Sequence, residues 1–327
     1  MRSLHDAAHG PAAKRAPVPA SGSHGLLFGH ADVGHFGLAH SLLAWARCRL
    51  WCDRHAVPML APSWLQPRVG PFLRGERDKR QYHLLFEFGD YVRGLRKLRV
   101  LAGATRVVAE TADLEAVLRI PQRQLVIFSN RMQLNEESHF GEIVGQADTV
   151  RLALTRMTKP AYRPPTDSMT HVAVHVRMGD FNAPPSIDAL RQGSKNSRIP
   201  IDWYVDVVNT LRARAGVGAV RVYSDGSDEA LAPLLQLPDT TRSPKQASIT
   251  DLLAMAKSRV VVSSGSGFSM WGAYLGNSPR ICFRGQRFAR VLPSPEGTDV
   301  DLEPECEAGQ ELPDAFMRAV GSRLAAA

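Results

Sequence analysis

The segment from His171 to Phe181, HVAVHVRMGDF, decides the fold of this chain, because an alternating, mostly apolar strand ends there in a charged turn. Side chains alternate along a strand, so His175 and Arg177 are expected on the same side. Ligands of α/β sheets bind where strands end, and a guanidinium there can hold a phosphate with two hydrogen bonds. The alternative is an ordinary strand end with a solvated Arg–Asp pair.

A second segment, residues 249–276, has the sequence ITDLLAMAKSRVVVSSGSGFSMWGAYLG. It predicts a short helix, a buried valine strand, a Ser/Gly turn and a second helix that Ser266 or Ser269 caps. The N–H groups and positive dipole end of such a helix form an anion site. The alternative is a capped helix whose aromatic side chains belong to the core, and both interpretations are compatible.

Three motifs, in this order, resemble the donor half of fucosyltransferases: HVRMGD at 175–180, YSD at 223–225 and the run at 251–276. The pattern is most similar to the α-1,2-fucosyltransferase group, glycosyltransferase family 11, with HxRRGD, FSDD and a D-x-x-x-M segment leading to SxFSWW. The α-1,6- and protein O-fucosyltransferases are its kin. The resemblance covers about residues 170–276. It implies an α/β fold of the GT-B type, with two Rossmann-like doubly wound domains facing a cleft.

The resemblance also implies the reaction: inverting, metal-independent transfer of fucose from GDP-fucose to a hydroxyl of a glycan or glycoconjugate. No metal and no cofactor besides the GDP-sugar substrate is expected. Arg177 and the Ser/Gly turn would stabilise the leaving diphosphate, while His175 and Asp225 would contact guanine. The expected donor-binding residues are His175, Arg177, Asp225, Ser266, Gly267, Phe268 and Ser269. Arg177 is also the expected catalytic group, and the candidates for the general base are His35, Asp32 and Glu76.

The chain departs from the family pattern at several positions. Met178 stands in place of the second arginine, Gly226 in place of the second aspartate, and Met270 in place of the first tryptophan. These departures leave two alternatives open: a GT-B transferase that uses another nucleotide sugar, and a non-catalytic nucleotide-binding protein on the same fold. The sequence argues against a serine hydrolase of the GxSxG type, because Ser264 rather than glycine lies two residues before Ser266.

Composition bounds the remaining classes. The chain has 327 residues and a net charge of +8, but its arginines are scattered, which argues against nucleic acid as a partner. The four cysteines contain no CxxC pair and favour structural thiols in a reducing compartment. Neither an apolar signal core nor a membrane-spanning run is present. We therefore expect a cytoplasmic protein, and peripheral contact with the inner face of the membrane remains open.

The order of predicted elements indicates two domains. A strand at 26–28, a glycine loop, a helix at 38–55 and a strand at 58–62 form the opening of a doubly wound sheet. Prolines at 160, 164 and 165 mark the predicted boundary. We predict a disordered leader at 1–23, an N-terminal acceptor domain at 24–160, and a donor domain at 161–327 that ends in a closing helix.

Overall fold

The structure is a computed structural model that describes residues 26–34, 36–64, 81–130, 140–166, 170–293 and 301–325. The described strands form two parallel sheets with helices packed on both faces of each. The predicted α/β class, with two doubly wound sheets, is therefore confirmed. No helix among the described residues has both the length and the apolar character that crossing a membrane requires.

The N-terminal sheet has the order β1-β3-β2, formed by β1 (Leu27–Asp32), β2 (Thr105–Val108) and β3 (Gln124–Ser129). The predicted strand at 58–62 occurs only as single parallel bridges, Gly29 to Met59 and Leu60 to Val92, on the free side of β1. The helices of this half are α1 (Leu38–Arg54), α2 (Gly94–Gly103), α3 (Leu114–Val117) and α4 (Ala147–Met157).

Helix α1 lies very close to β1, and a glycine makes this approach possible. A Cβ atom on Gly29 would lie 2.2 Å from Sγ of Cys52 and 3.1 Å from Sγ of Cys48. Both cysteines are buried and unpaired, as are Cys282 and Cys306. On the opposite face of the sheet, α2 contributes Val100 to a separate apolar cluster. The other buried members of that cluster are Phe28, Leu60, Val92 and Leu125.

The C-terminal sheet has six described strands in the order β6-β5-β4-β7-β8-β9. They are β4 (Val172–Val176), β5 (Val220–Ser224), β6 (Thr240–Arg242), β7 (Val260–Ser263), β8 (Arg280–Phe283) and β9 (Glu305–Cys306). The helices are α5 (Ile187–Arg191), α6 (Ile201–Ala215), α7 (Asp228–Leu235), α8 (Ser248–Met255), α9 (Gly267–Gly276) and α10 (Asp314–Ala325). Numbered from β4, the strand order is 3-2-1-4-5-6, the order of dinucleotide-binding sheets.

Most predicted elements of this half are present, and the differences have local causes. Helix α6 ends at Gly216, whose left-handed backbone (φ 65°) stops it. The predicted polar loop at 184–200 contains α5, because the side chain of Ser186 accepts a hydrogen bond from the N–H of Ala189 and caps a short helix. In the N-terminal half, the helix predicted over residues 140–157 is interrupted by a turn at 142–145 and continues as α4 from Ala147.

Candidate functional site

The strand order places a crevice between β4 and β7, because the chain leaves this central pair in opposite directions. In open α/β sheets, this switch point at the carboxyl ends of the strands is where ligands bind. The turn that begins with Arg177 follows β4, and the Ser/Gly turn at 264–266 follows β7. Asp225 follows β5, the other neighbour of β4. The topology therefore brings the three predicted donor motifs to one edge of the sheet.

Two carboxylates orient the guanidinium of Arg177. Its Nη1 lies 2.6 Å from Oδ2 of Asp225, and its Nη2 lies 2.6 Å from Oδ1 of Asp180. The ring centroid of Phe181 is 5.8 Å from its Cζ, within the range of a cation–π contact. One third of the arginine side chain remains exposed. Arg177 is thus held in place at the surface of the crevice, where an anionic ligand can reach it.

Asp225 also fastens the turn that follows β4. Its Oδ1 accepts a hydrogen bond of 2.8 Å from the backbone N–H of Met178. Burial acts to raise the pKa of this carboxyl, but the charge of Arg177 and the N–H groups of Met178 and Gly179 hold the pKa below its ordinary value. Asp225 is therefore a carboxylate at neutral pH.

Glycine at position 179 is a steric requirement of this contact. A Cβ atom there would lie 2.5 Å from Oδ2 of Asp225. Serine side chains, rather than Asp225, cap the turn that follows β5 and the helix after it. Ser224 Oγ accepts from the N–H of Gly226 at 3.0 Å, and Ser227 caps α7 through the N–H of Ala230.

His175 is a buried, neutral member of the site. Its Nδ1 shares hydrogen bonds with the Oγ atoms of Ser264, at 2.8 Å, and Ser266, at 3.3 Å. The ring of Phe268 lies against it with a centroid separation of 5.3 Å. Burial, with a smaller effect from Arg177, lowers the pKa of His175 to about 3, although Asp225 acts to raise it. Its imidazole therefore links strand β4 to the turn after β7 without carrying a charge.

The start of α9 presents backbone donors to the same crevice. Ser266 is the N-cap, and its Oγ accepts from the N–H of Ser269 at 3.5 Å. The side chain of Ser269 is fully buried and bonded to Ser263 Oγ, so it holds the turn in shape. Gly267 and Phe268 begin the helix, whose first N–H groups have no partner within it and favour an anion.

Gly265 allows the turn before α9 to form. Its backbone is left-handed (φ 72°), and a Cβ atom would lie 3.0 Å from the carbonyl oxygen of Gln286. Only glycine adopts this conformation without strain in so little space.

The N-terminal half contributes less to the described site. His35 and Glu76, two of the three candidates for the general base, lie outside the described residues. Asp32 ends β1, at the carboxyl edge of its sheet. No group of three or more His, Cys, Asp or Glu side chains able to hold a metal occurs in the described ranges. A cavity of about 500 Å³ lies elsewhere, between α1, α4 and residues 87–93, and contains none of the predicted site residues.

A buried ion pair at the carboxyl edge of the N-terminal sheet was not anticipated. Arg47 of α1 lies 2.8 Å from Oε1 of Glu110 and 2.7 Å from Oε2 of Glu142. The side chains of Arg47 and Glu110 are almost fully buried, and Glu110 also accepts from the N–H of Ser129 at the end of β3. The sequence feature that could have indicated this ion pair is the single arginine inside the apolar run LLAWARC.

Helix α9 connects the two halves of the molecule. Trp271 Nε1 donates to the carbonyl of Ala39 at 2.8 Å, and the Tyr274 hydroxyl donates to that of Ile143 at 2.8 Å. Arg151 of α4 donates to the carbonyl of Leu275 at 2.9 Å. The start of α1 therefore lies beside the helix whose own start forms part of the candidate site.

Comparison with known proteins locates similar structures. No protein-family model matches the chain, and no curated protein matches its sequence. The structure is similar to that of NodZ α-1,6-fucosyltransferase co-crystallised with GDP, with 14% identity over 79% of this chain and 94% of that chain and a TM-score of 0.38. It is also similar to POFUT1 in complex with GDP, with 11% identity over 80% of this chain and 99% of that chain and a TM-score of 0.41.

A third structure, selenomethionine fucosyltransferase NodZ from Bradyrhizobium, has 14% identity over 79% of this chain and 94% of that chain, with a TM-score of 0.39. At this level of identity and TM-score the likeness carries no argument. The function of the chain therefore rests on its own residues.

Proposed function

We propose that this chain is an inverting, metal-independent glycosyltransferase of the GT-B type that transfers fucose from GDP-fucose to a hydroxyl of a glycan or glycoconjugate. The observation that carries the proposal is the convergence of Arg177 and the start of α9 at the switch point of a dinucleotide-type sheet. A fixed guanidinium and a helix start together make a binding site for a diphosphate.

The chemistry assigned to this site is a single displacement. The acceptor oxygen forms a bond to the anomeric carbon, the bond from that carbon to the β-phosphate oxygen breaks, and GDP leaves with the electron pair. Negative charge grows on the β-phosphate, where Arg177 and the N–H groups of Gly267 and Phe268 stabilise it without a metal. The acceptor proton passes to a base of the N-terminal half, for which His35 remains the proposal and Asp32 is the described candidate.

We assign Asp225 to recognition of guanine: its carboxylate would accept hydrogen bonds from the N1–H and the exocyclic amine of the base. Each carboxylate oxygen has two lone pairs, so the bonds to Arg177 and to the N–H groups of Met178 and Gly179 leave capacity for one further donor, and the second guanine donor would replace or share one of these bonds. Neutral His175 would support the base beside Phe268. These roles follow the resemblance of the HVRMGD and YSD motifs to those of fucosyltransferases.

A second candidate, transfer from another nucleotide sugar, is favoured by the contact between two departures from the motif pattern. Met178 and Gly226 face each other, and a Cβ atom on residue 226 would lie 2.5 Å from Sδ of Met178. Where the resembled family has an arginine and an aspartate, this chain has a methionine packed over a glycine. The replacement removes one positive and one negative charge from the edge of the proposed nucleobase site, which changes the groups that this edge offers to a nucleobase.

Calorimetric titration of the protein with GDP, UDP and ADP separates the two candidates. If the protein is a fucosyltransferase, GDP should bind more tightly than UDP and ADP. GDP should also be released from GDP-fucose in the presence of a panel of oligosaccharides. The rate of release should be the same with excess EDTA, and release should be lost in Arg177→Lys. Tighter binding of UDP or ADP supports the second candidate. GDP binding without GDP release or sugar transfer supports a non-catalytic nucleotide-binding protein.

Localisation in the cytoplasm is part of the proposal. It is supported by the four buried cysteines, which are unpaired and suit a reducing compartment.

A further inference from the structure

Helix α2 carries apolar side chains on two opposite faces. Val100 faces the N-terminal sheet and is buried in the cluster beneath the helix. Leu95 and Leu98 point outward and are 73% and 61% exposed, more than any other large apolar side chain of the described residues. They are three positions apart and therefore adjacent on the helix surface. A globular helix needs only one apolar face, so the outward pair lacks a structural purpose.

Arginines surround the exposed leucines. Arg96 and Arg99 belong to α2, and Arg93 precedes it. None of the three takes part in an ion pair with any residue that the structure describes, and all three are exposed. Elsewhere exposed arginines do find acidic partners, as Arg151 does with Asp148 at 2.7 Å. Helix α2 itself contains no acidic residue.

The neighbouring strand extends this positive charge. Arg106 of the edge strand β2 pairs in register with Leu125, a member of the cluster beneath α2, so both lie on the same face of the sheet. The remaining cation of the helix, Lys97, is turned inward and donates to the carbonyl of Ala61 at 2.7 Å and to Ser63 Oγ at 3.1 Å. The outward face of α2 is thus two leucines within a group of unpaired arginines.

We propose that this α2 face, formed by Leu95, Leu98, Arg96 and Arg99, docks the protein on an anionic lipid surface. The leucines enter the boundary between headgroups and acyl chains, and the arginines contact lipid phosphates, as in interfacial amphipathic helices. A second copy of the chain fits poorly, because a two-fold contact would bring the arginines against themselves. Nucleic acid would use the arginines but leave the leucines in water.

Sedimentation of the full chain with vesicles tests the proposal. Phosphatidylcholine vesicles that contain phosphatidylglycerol should bind the protein at about 0.15 M salt, and vesicles of phosphatidylcholine alone should not. The variants Leu95→Ser/Leu98→Ser and Arg96→Gln/Arg99→Gln should each lower binding about tenfold or more. Leu152→Ser and Arg318→Gln, an exposed leucine and an exposed arginine on other helices, serve as matched controls and should bind like the unaltered protein.

Three results would overturn the proposal: no binding of the unaltered protein to anionic vesicles, equal binding by the α2 variants, or an equal loss in the two controls. A change of oligomeric state in Leu95→Ser/Leu98→Ser, with vesicle binding retained, would assign the face to a second copy instead. Circular dichroism and thermal unfolding establish that each variant is folded. Neither these readouts nor vesicle sedimentation depends on nucleotide binding or glycosyl transfer, so the outcome is independent of the proposed function.

Discussion

Replacing Asp225 by asparagine tests whether this carboxylate organises the candidate site. The change keeps the size of the side chain, and an amide oxygen can still accept from the N–H of Met178. What is lost is the charge opposite Arg177, at 2.6 Å and with both side chains about one third exposed. Exposed pairs contribute up to about 1 kcal/mol and hydrogen bonds to charged groups about 1.5–3 kcal/mol. For this partly exposed pair we expect a loss of about 1–2 kcal/mol in the free energy of unfolding.

The matched control is Asp180→Asn, which removes the other carboxylate partner of Arg177. Asp180 is 58% exposed and only three residues away in sequence, so its pair should contribute about 0.5 kcal/mol or less. Urea unfolding followed by circular dichroism measures both variants. For a chain of 327 residues, a loss of about 1–2 kcal/mol lowers the melting temperature by roughly 1.5–3 °C.

Titration of the same two variants with nucleotides tests whether Asp225 recognises the guanine base. If Asp225 contacts guanine, Asp225→Asn should reduce the preference for GDP over UDP, whereas Asp180→Asn should leave the preference unchanged. Two results would contradict the expected loss of stability: Asp225→Asn unfolds at the same urea concentration as the unaltered protein, or Asp180→Asn lowers the free energy of unfolding more than Asp225→Asn does. An unchanged preference in Asp225→Asn refutes the guanine assignment alone.

Three further predictions concern the same edge of the sheet. Arg177→Lys should abolish sugar transfer with little loss of stability, because an ammonium cannot form the two-pronged contact; turnover close to that of the unaltered enzyme would contradict this. Gly179→Ala should weaken nucleotide binding and lower the melting temperature, since the new methyl group would displace the Asp225 carboxylate, while Gly321→Ala on α10, where nothing lies within 4 Å, should do neither. Unfolding at several pH values tests the burial of His175. The pKa of its imidazole is about 3 in the folded chain and 6.5 in the unfolded chain, so between these pH values only the unfolded chain binds the proton. The free energy of unfolding should therefore fall as the pH drops from 6.5 towards 3. The slope reaches about 1.4 kcal/mol per pH unit, and His175→Gln should reduce it; an unchanged slope would show that this imidazole is not buried neutral.

The strands that form the candidate site could be predicted because each is a short apolar run that ends in a distinctive turn. Strands β4, β5 and β7 and the start of α9 fall close to their predicted positions for this reason. Their order in the sheet could not be predicted from those runs, since it depends on pairing between distant segments. The contact of Asp225 with the Met178 N–H joins residues 47 positions apart, and only the folded sheet brings them together.

Elements with little burial were missed. Strand β2 is an exposed edge strand, and α2 buries Val100 but leaves Leu95 and Leu98 exposed, so neither presents a long buried apolar run like those of the predicted elements. The ion pair of Arg47 with Glu110 could not be predicted from the sequence either, because a single charged residue in an apolar helix does not identify its partner. The predicted boundary between residues 160 and 161, the donor-binding roles and the choice of base stay predictions.

Helix α9 is in contact with both halves of the molecule. Its first residues lie at the anion site, and its middle and end hold α1 and α4 through Trp271, Tyr274 and the carbonyl of Leu275. The helix is therefore a direct mechanical link, because a displacement of its start by a bound anion would be passed to the two helices that it contacts in the N-terminal half. Under the proposed function, binding of the donor would in this way also move the half of the molecule that is assigned to the acceptor.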